Sequence, residues 1–201
     1  MEYFKFINNK GIGDFLTNYN LLLLENSKIE GERIYLRPIQ LTDADDMFEY
    51  TSDEETTKYL YDVHKDVART KSMIANYFME EPIGKYAIVL KDSEKMIGAI
   101  EFRVHGEEKA GDLGFALNRK YWGNGYVNEA GKLIIDLAFN TLKLERVYAG
   151  HDPRNAASGK ALKRLGMTYE GTFRKHFFFK GELVDNAQYS ILKEEYFANL
   201  I

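Results

Sequence analysis

The sequence has no cysteine, only three prolines and a single tryptophan in 201 residues. Without cysteine, disulfides, thiolate nucleophiles and zinc–thiolate sites are all excluded together, which fits a reducing compartment. Long apolar runs are missing as well. No stretch approaches the ~18 residues of a membrane span, and the N-terminus lacks the charged start, clean apolar centre and small-residue cleavage site of a secretory signal. The expectation is a cytoplasmic protein with no membrane partner. A basic surface is also lacking: 27 Lys and Arg face 31 Asp and Glu, for a net charge of −4 and a pI near 5.7. Non-specific nucleic-acid binding needs the opposite balance, because it works by displacing counterions from phosphates. The four histidines, His64, His105, His151 and His176, are scattered without ligand spacing, so no metal site is expected. What is present, 45% hydrophobic residues over this length, suffices for one sizeable core and one main domain.

The most informative stretch is Tyr121-Trp122-Gly123-Asn124-Gly125-Tyr126-Val127-Asn128-Glu129-Ala130. Before it, residues 111–117 read as a half-buried strand; after it, Val127, Ala130, Ile134, Leu137 and Ala138 recur at helical spacing. The turn therefore feeds a helix N-terminus, where amides without intrahelical partners and the positive end of the macrodipole favour an anion. Gly123 and Gly125 allow the backbone to approach it, and phosphate is the natural occupant. A plain strand-turn-helix connection would show the same glycines, and the residues alone leave both readings open. Neither the P-loop nor the dinucleotide fingerprint is met.

Along the chain, Phe4, Phe6, Ile7, Ile12, Phe15, Leu16, Tyr19 and Leu21 to Leu24 make residues 1–30 too apolar for a solvated tail. They are expected to pack on the domain or on a second subunit, as in a homodimer. Arg33 to Ile39 alternates as a strand, and Thr42 is placed to cap the helix that follows, with Asp45 in the capping-box position. Seven acidic residues crowd 42–55, readable as a solvated helix face or as a patch attracting cationic substrates. A second helix is expected over 67–80, then a hairpin of 86–90 with 96–104, the strand 111–117, the long helix, and a strand at 145–151. Asn155 is a good N-cap for a helix that Gly166 ends, and strands at about 167–179 and 184–192 turn at Lys180-Gly181.

Gly31-Glu-Arg-Ile-Tyr-Leu-Arg-Pro38, Ile97-Gly98-Ala-Ile100, the loop at 121–130, Asn155-Ala-Ala-Ser158 and Leu165-Gly166-Met167 together resemble the GNAT superfamily of acyl-CoA N-acyltransferases, and within it the Rim-type branch of ribosomal-protein N-terminal acetyltransferases. The resemblance covers about residues 31–193. It implies an α+β (mixed α/β) fold: a largely antiparallel central sheet of about seven strands, splayed in the middle, with helices on both faces. Residues 1–30 would be an extension and 31–201 the catalytic domain. It also implies acetyl-CoA as cosubstrate and a primary amine as acceptor, either a protein N-terminus or a small molecule.

The family's pyrophosphate signature, Gln/Arg-x-x-Gly-x-Gly/Ala, falls on Trp122, Gly123, Asn124, Gly125, Tyr126 and Val127, with Gly125 the strict match. By the same resemblance the pantetheine arm would lie along Phe115, Ala116 and Leu117, between splayed strands, and near Asn155 and Ser158. Arg119 or Lys120 would add charge at the loop's edge. Many members carry a tyrosine acid four residues before the Leu-Gly glycine; here that position is Leu162, and the resemblance assigns the thiolate's proton to Ser158. Back-bonding to its own helix is the commoner fate of a helical serine. Asp112 and Glu101 are the candidate bases, and a satisfied, half-buried carboxylate is the alternative for each. A domain that binds acetyl-CoA without turnover, as a sensor or assembly module, is the alternative function.

Overall fold

The computed structural model describes residues 17–198. Phe4, Phe6, Ile7, Ile12, Phe15 and Leu16 lie outside that range. In chain order the elements are α1 (Tyr19–Glu25), β1 (Ile29–Glu30), β2 (Ile34–Pro38), a 3-10 turn (Leu41–Asp43) leading into α2 (Ala44–Thr51), α3 (Glu54–Thr57), and α4 (Val67–Met73) running on into a π-helical turn (Ile74–Met79). Then come β3 (Lys85–Leu90), β4 (Met96–His105), β5 (Ala110–Leu117), α5 (Tyr126–Asp136) with its own π-helical end (Leu137–Thr141), β6 (Arg146–His151), α6 (Ala156–Arg164), β7 (Thr168–Phe179), β8 (Glu182–Leu192) and α7 (Lys193–Ala198).

The strands form one sheet in the order β1-β2-β3-β4-β5-β6-β8-β7. It has eight strands where about seven were expected; the extra one, β1, is two residues long and carries no periodicity of its own. Every pairing is antiparallel except β5 with β6. That parallel ladder joins Ala110, Gly111 and Asp112 to Arg146, Val147 and Tyr148 and goes no further. Beyond Asp112 the two strands part, so residues 113–117 pair with β4 on one side and leave a fork on the other.

Both faces of the sheet are covered, and alternation along the strands sorts side chains between them. Ile34, Leu36, Ile88, Ile100 and Phe102 point to the face covered by α5, where Ala130 and Ile134 meet them. Tyr35, Ala87, Val89 and Ala99 point the other way, onto Met47 and Tyr50 of α2 and Ile74 and Phe78 of the π turn. β3 is consequently buried along its whole length. Full burial of an aliphatic or aromatic side chain contributes about 1.5–3 kcal/mol, and it is this two-sided core that holds β5 rigid beside the fork. Leu23 of α1 is buried in the α5-side cluster and Tyr19 and Leu22 pack against it, while Leu21 and Leu24 are exposed.

One local expectation is corrected. Thr42 does not cap α2. Gln40 opens the 3-10 turn, with Asp43 as its capping-box partner, because the Asp43 carboxylate is held by the Gln40 amide at 2.8 Å and by Arg37 at 2.7 and 2.8 Å. Asp53, Asp66 and Asn155 cap α3, α4 and α6.

Candidate active site

The turn into α5 has the backbone that its glycines foretell. Gly123 and Gly125 sit at φ +80 and +81, the left-handed region, with Gly125 as the N-cap of α5. Trp122 is fastened back to β5, its Nε1 donating to the Leu117 carbonyl at 2.8 Å. Asn124 braces the turn from within, its Nδ2 donating to the carbonyls of Tyr121 and Trp122 at 3.2 Å each. A cavity of about 360 Å³ opens in front of the turn, lined by Trp122, Gly123, Gly125, Tyr126 and Val127, by Phe115, Ala116 and Leu117 of β5, and by Asn155 and Ser158. Asn124 does not line it; Asn128, one turn into the helix, does.

Behind the turn stands Arg33, which no local pattern singles out. Its Nη1 donates to the Asn124 carbonyl at 2.9 Å, its Nε to Glu129 Oε2 at 2.9 Å, and its guanidinium lies 4.6 Å from the Tyr126 ring centroid. The amides of Arg33 and Ile34 also donate to Glu129 Oε1. A carboxylate in the first turn of an anion-binding helix would repel the ligand, and Arg33 neutralises it. A Cβ on Gly125 would point at Arg33 Nη2, 3.6 Å away. That is ordinary contact, so the first cost of a side chain there is its left-handed φ.

The expected edge charges are spent elsewhere. Arg119 pairs with Asp53 at 3.1 Å and Lys120 with Glu49 at 3.1 Å. The cations that do line the cavity are Arg154, Lys160 and Arg164; Arg154 is itself paired with Asp152 and Glu182 at 2.6 Å each, which leaves Lys160 and Arg164, four apart on α6, a helical spacing visible in the sequence. The same pairs empty the acidic run of its field: Asp43 is bound by Arg37, Asp46 and Glu49 by Lys95, and Asp53 by Arg119. A cation-attracting patch is not what most of these carboxylates form.

At the fork, Asn155 caps α6, its Oδ1 accepting from the Ser158 amide at 3.3 Å. Ser158 is half-buried, and its hydroxyl makes no hydrogen bond with a described residue, so back-bonding is not its role here. It lines both the 360 Å³ cavity and a second one of about 170 Å³ between the diverging strands, where Leu113, Gly114 and Phe115 face Ala149 and Gly150.

A third cavity, about 710 Å³, lies on the α2 side of β5 and shares Phe115 and Ala116 with the first. Glu101 lines it, with Oε2 accepting from Tyr77 Oη and from Arg103 Nη2, both at 2.7 Å. Asp112 lines none of the three cavities. Burial pushes its carboxyl above the ordinary aspartate value, against the pull of Arg103, whose Nη1 lies 3.3 Å away. The tip of the β7–β8 hairpin arches over this cavity: Phe178, Phe179 and Lys180 line it, and Lys180 Nζ donates to the carbonyls of Thr57 and Lys58 at 3.2 and 3.4 Å. Among the described residues no His, Asp or Glu cluster could hold a metal ion, and no helix is long and apolar enough to cross a membrane.

A glycine cradle at a helix start, beside a strand whose edge is freed by a fork, defines a class of acyltransferase, and comparison with known proteins agrees. Residues 33–168 match the acetyltransferase (GNAT) domain, and the chain belongs to that family. It is similar to the uncharacterized N-acetyltransferase p20 of Bacillus licheniformis, 35% identical over 170 residues that cover 82% of this chain and 96% of that one. The crystal structure of a GNAT-family acetyltransferase from Bacillus anthracis superposes with a TM-score of 0.75 at 28% identity, covering 83% of this chain and 99% of that one. Likeness to the [ribosomal protein uS5]-alanine N-acetyltransferase of Escherichia coli is 31% over 97 residues, 47% of this chain and 50% of that one. The protein is an acetyl-CoA-dependent acetyltransferase, and the cradle suits its cosubstrate: left-handed glycines, free helix amides and the cations Lys160 and Arg164 in the lining fit a diphosphate.

Proposed function

We propose that the protein transfers the acetyl group of acetyl-CoA directly to a primary amine, with both substrates bound at once on either side of β5. The observation carrying this reading is the shared wall: the cradle cavity and the α2-side cavity meet at Phe115 and Ala116, where the fork leaves β5 without a partner. The cradle residues 122–127 and the cations Lys160 and Arg164 hold the diphosphate, and the free edge at 115–117 receives the pantetheine arm as an extra strand would be received. Holding both reactants in place removes much of the entropic barrier.

The proton bookkeeping needs one group on each side. Glu101, in the α2-side cavity, takes the proton lost by the attacking amine, directly or through a water; of the two carboxylates it is the one with access. Ser158, whose hydroxyl is uncommitted, passes a proton to the departing thiolate while a water returns one to its oxygen, or orders the water that protonates the thiolate. Asp112 serves to hold Arg103 against Glu101. Residues 17–30, with Leu23 in the core, complete the domain's α5-side cluster.

Ser158→Ala is the test. Turnover should fall by about 10²-fold, the lower end of what general acid catalysis supplies, because water substitutes in part. Acetyl-CoA affinity should stay within twofold, since the interaction exists only in the transition state. Weaker cofactor binding with normal turnover at saturation would reduce Ser158 to a binding residue.

A further inference from the structure

The α2-side cavity is walled almost throughout by rings. Tyr50, Tyr61 and Tyr77, then Phe78, Phe178 and Phe179, come to it from α2, the α3–α4 segment, the π turn and the hairpin tip, with Met47 and Met73 filling between. Its charged groups are few and mostly committed. Glu101 is bound by Tyr77 and Arg103. His64 is buried against Thr70, Nδ1 to Oγ1 2.8 Å, and burial holds its pKa below the ordinary value, so it stands neutral. That leaves Asp62, Arg69 and Lys180, one anion and two cations, and neither cation forms an ion pair among the described residues.

This lining selects between kinds of amine. A polyamine reacting at one end must place its remaining ammonium groups in the same cavity, where Arg69 and Lys180 repel them and Asp62 alone attracts them. The acidic run 42–55, which would have compensated, is largely paired with Arg37, Lys95 and Arg119. A single amino group on an apolar body meets no such conflict: the amine reaches Glu101 and the β5 edge, and the body stacks among the rings, where aromatic contacts add to simple burial. Phe178, 71% exposed at the hairpin tip, is apolar surface that such a body would cover.

We propose that the acceptor is a small primary amine with one amino group on an aromatic or similarly apolar body, and not a polyamine. The inference rests on the proposed reading of this cavity as the acceptor side. Specificity then comes from side chains on four separate segments, Tyr77 and Phe178 foremost, with the rim cations acting as a filter against multiply charged amines.

The test titrates CoA first, then phenylethylamine or spermidine into CoA-saturated protein, and follows thiol release from acetyl-CoA with each amine and with the tripeptide Met-Ala-Ala. Phenylethylamine should exceed both others in kcat/KM by at least about tenfold. Phe178→Ala should raise its KM several-fold and leave the Kd of acetyl-CoA unchanged, and Arg69→Glu should narrow the gap to spermidine. Equal or better use of spermidine or of the peptide overturns the inference, as does failure of phenylethylamine to bind CoA-saturated protein. A protein that binds no CoA overturns the underlying site as well, so the two failures are distinguishable.

Discussion

The cradle slot and the aromatic cavity meet at the same two residues of β5, Phe115 and Ala116, yet they are built from different material. The slot is made of backbone: two left-handed glycines, a helix start, a capped α6 and an unpaired strand edge. The cavity is made of side chains, large rings brought together from segments far apart in sequence. A backbone-built site binds what most members of a class share, a diphosphate and an amide-bearing arm. A side-chain-built site binds what is particular to one protein. The first should fail abruptly when its dihedrals are disturbed, and the second should degrade by degrees.

The sharpest way to break that contrast is to force the cradle out of its conformation. Gly123→Val together with Gly125→Val puts two β-branched residues at φ near +80; at roughly 1–2 kcal/mol per left-handed residue, CoA binding should weaken by about 30- to 1,000-fold, read by calorimetry. Retained affinity would mean that the glycines are only a connection. Next in size is Arg33→Met, which frees the Glu129 carboxylate beside the anion site and unpins the Asn124 carbonyl. We expect about tenfold weaker CoA binding, equivalent to about 1.4 kcal/mol, and recovery of much of it when Glu129→Gln is added. No recovery would show that Arg33 works by packing alone.

Trp122→Phe should have a smaller effect. It removes the hydrogen bond to Leu117, for which about 0.5–1.5 kcal/mol is typical, and should lower the melting temperature by a few degrees while CoA affinity drops only a few-fold. The smallest effect is the response to acid. Burial pushes the Glu129 carboxyl up, but the Arg33 amide and guanidinium and the Ile34 amide outweigh it and hold its pKa below the usual 4.5. A depressed carboxylate contributes stability that is present above its unfolded pKa and lost as pH falls through the folded one. The parent should therefore lose stability faster than Glu129→Gln below about pH 4.5, in denaturant midpoints measured across that range. Parallel curves would remove Glu129 from the account.

How far the sequence reveals each region follows the same division. The strand-turn-helix around Gly123 and Gly125, the Asn155 cap and the turn at Lys180-Gly181 are set by local conformational preference, so they are readable residue by residue. The fork, by contrast, depends on where a parallel ladder stops, between residues some 36 apart such as Asp112 and Tyr148, and only the resemblance pointed to it. Thr42 misled because Arg37, six residues before Asp43, draws that carboxylate into the cap of an earlier turn. Arg119 and Lys120 looked free because Asp53 and Glu49 are distant in sequence. Arg33 was hidden for the converse reason: its partners Asn124 and Glu129 lie more than ninety residues on. Long-range charge pairing decides which ions remain available, and it leaves no local trace.

The π-helical turn at Ile74–Met79 behaves as a phase shifter. An α-helix advances about 100° per residue, and a wide turn absorbs one residue without advancing the face by that amount. Ile74 and Phe78, four apart, share the core face as they would in any helix; what the wider turn re-aims is Tyr77, which faces outward to Glu101 and offers its carbonyl to Lys85 at 2.6 Å. Chain length within this segment thus sets an angle at the site: the width of one turn fixes where the Tyr77 hydroxyl meets the Glu101 carboxylate.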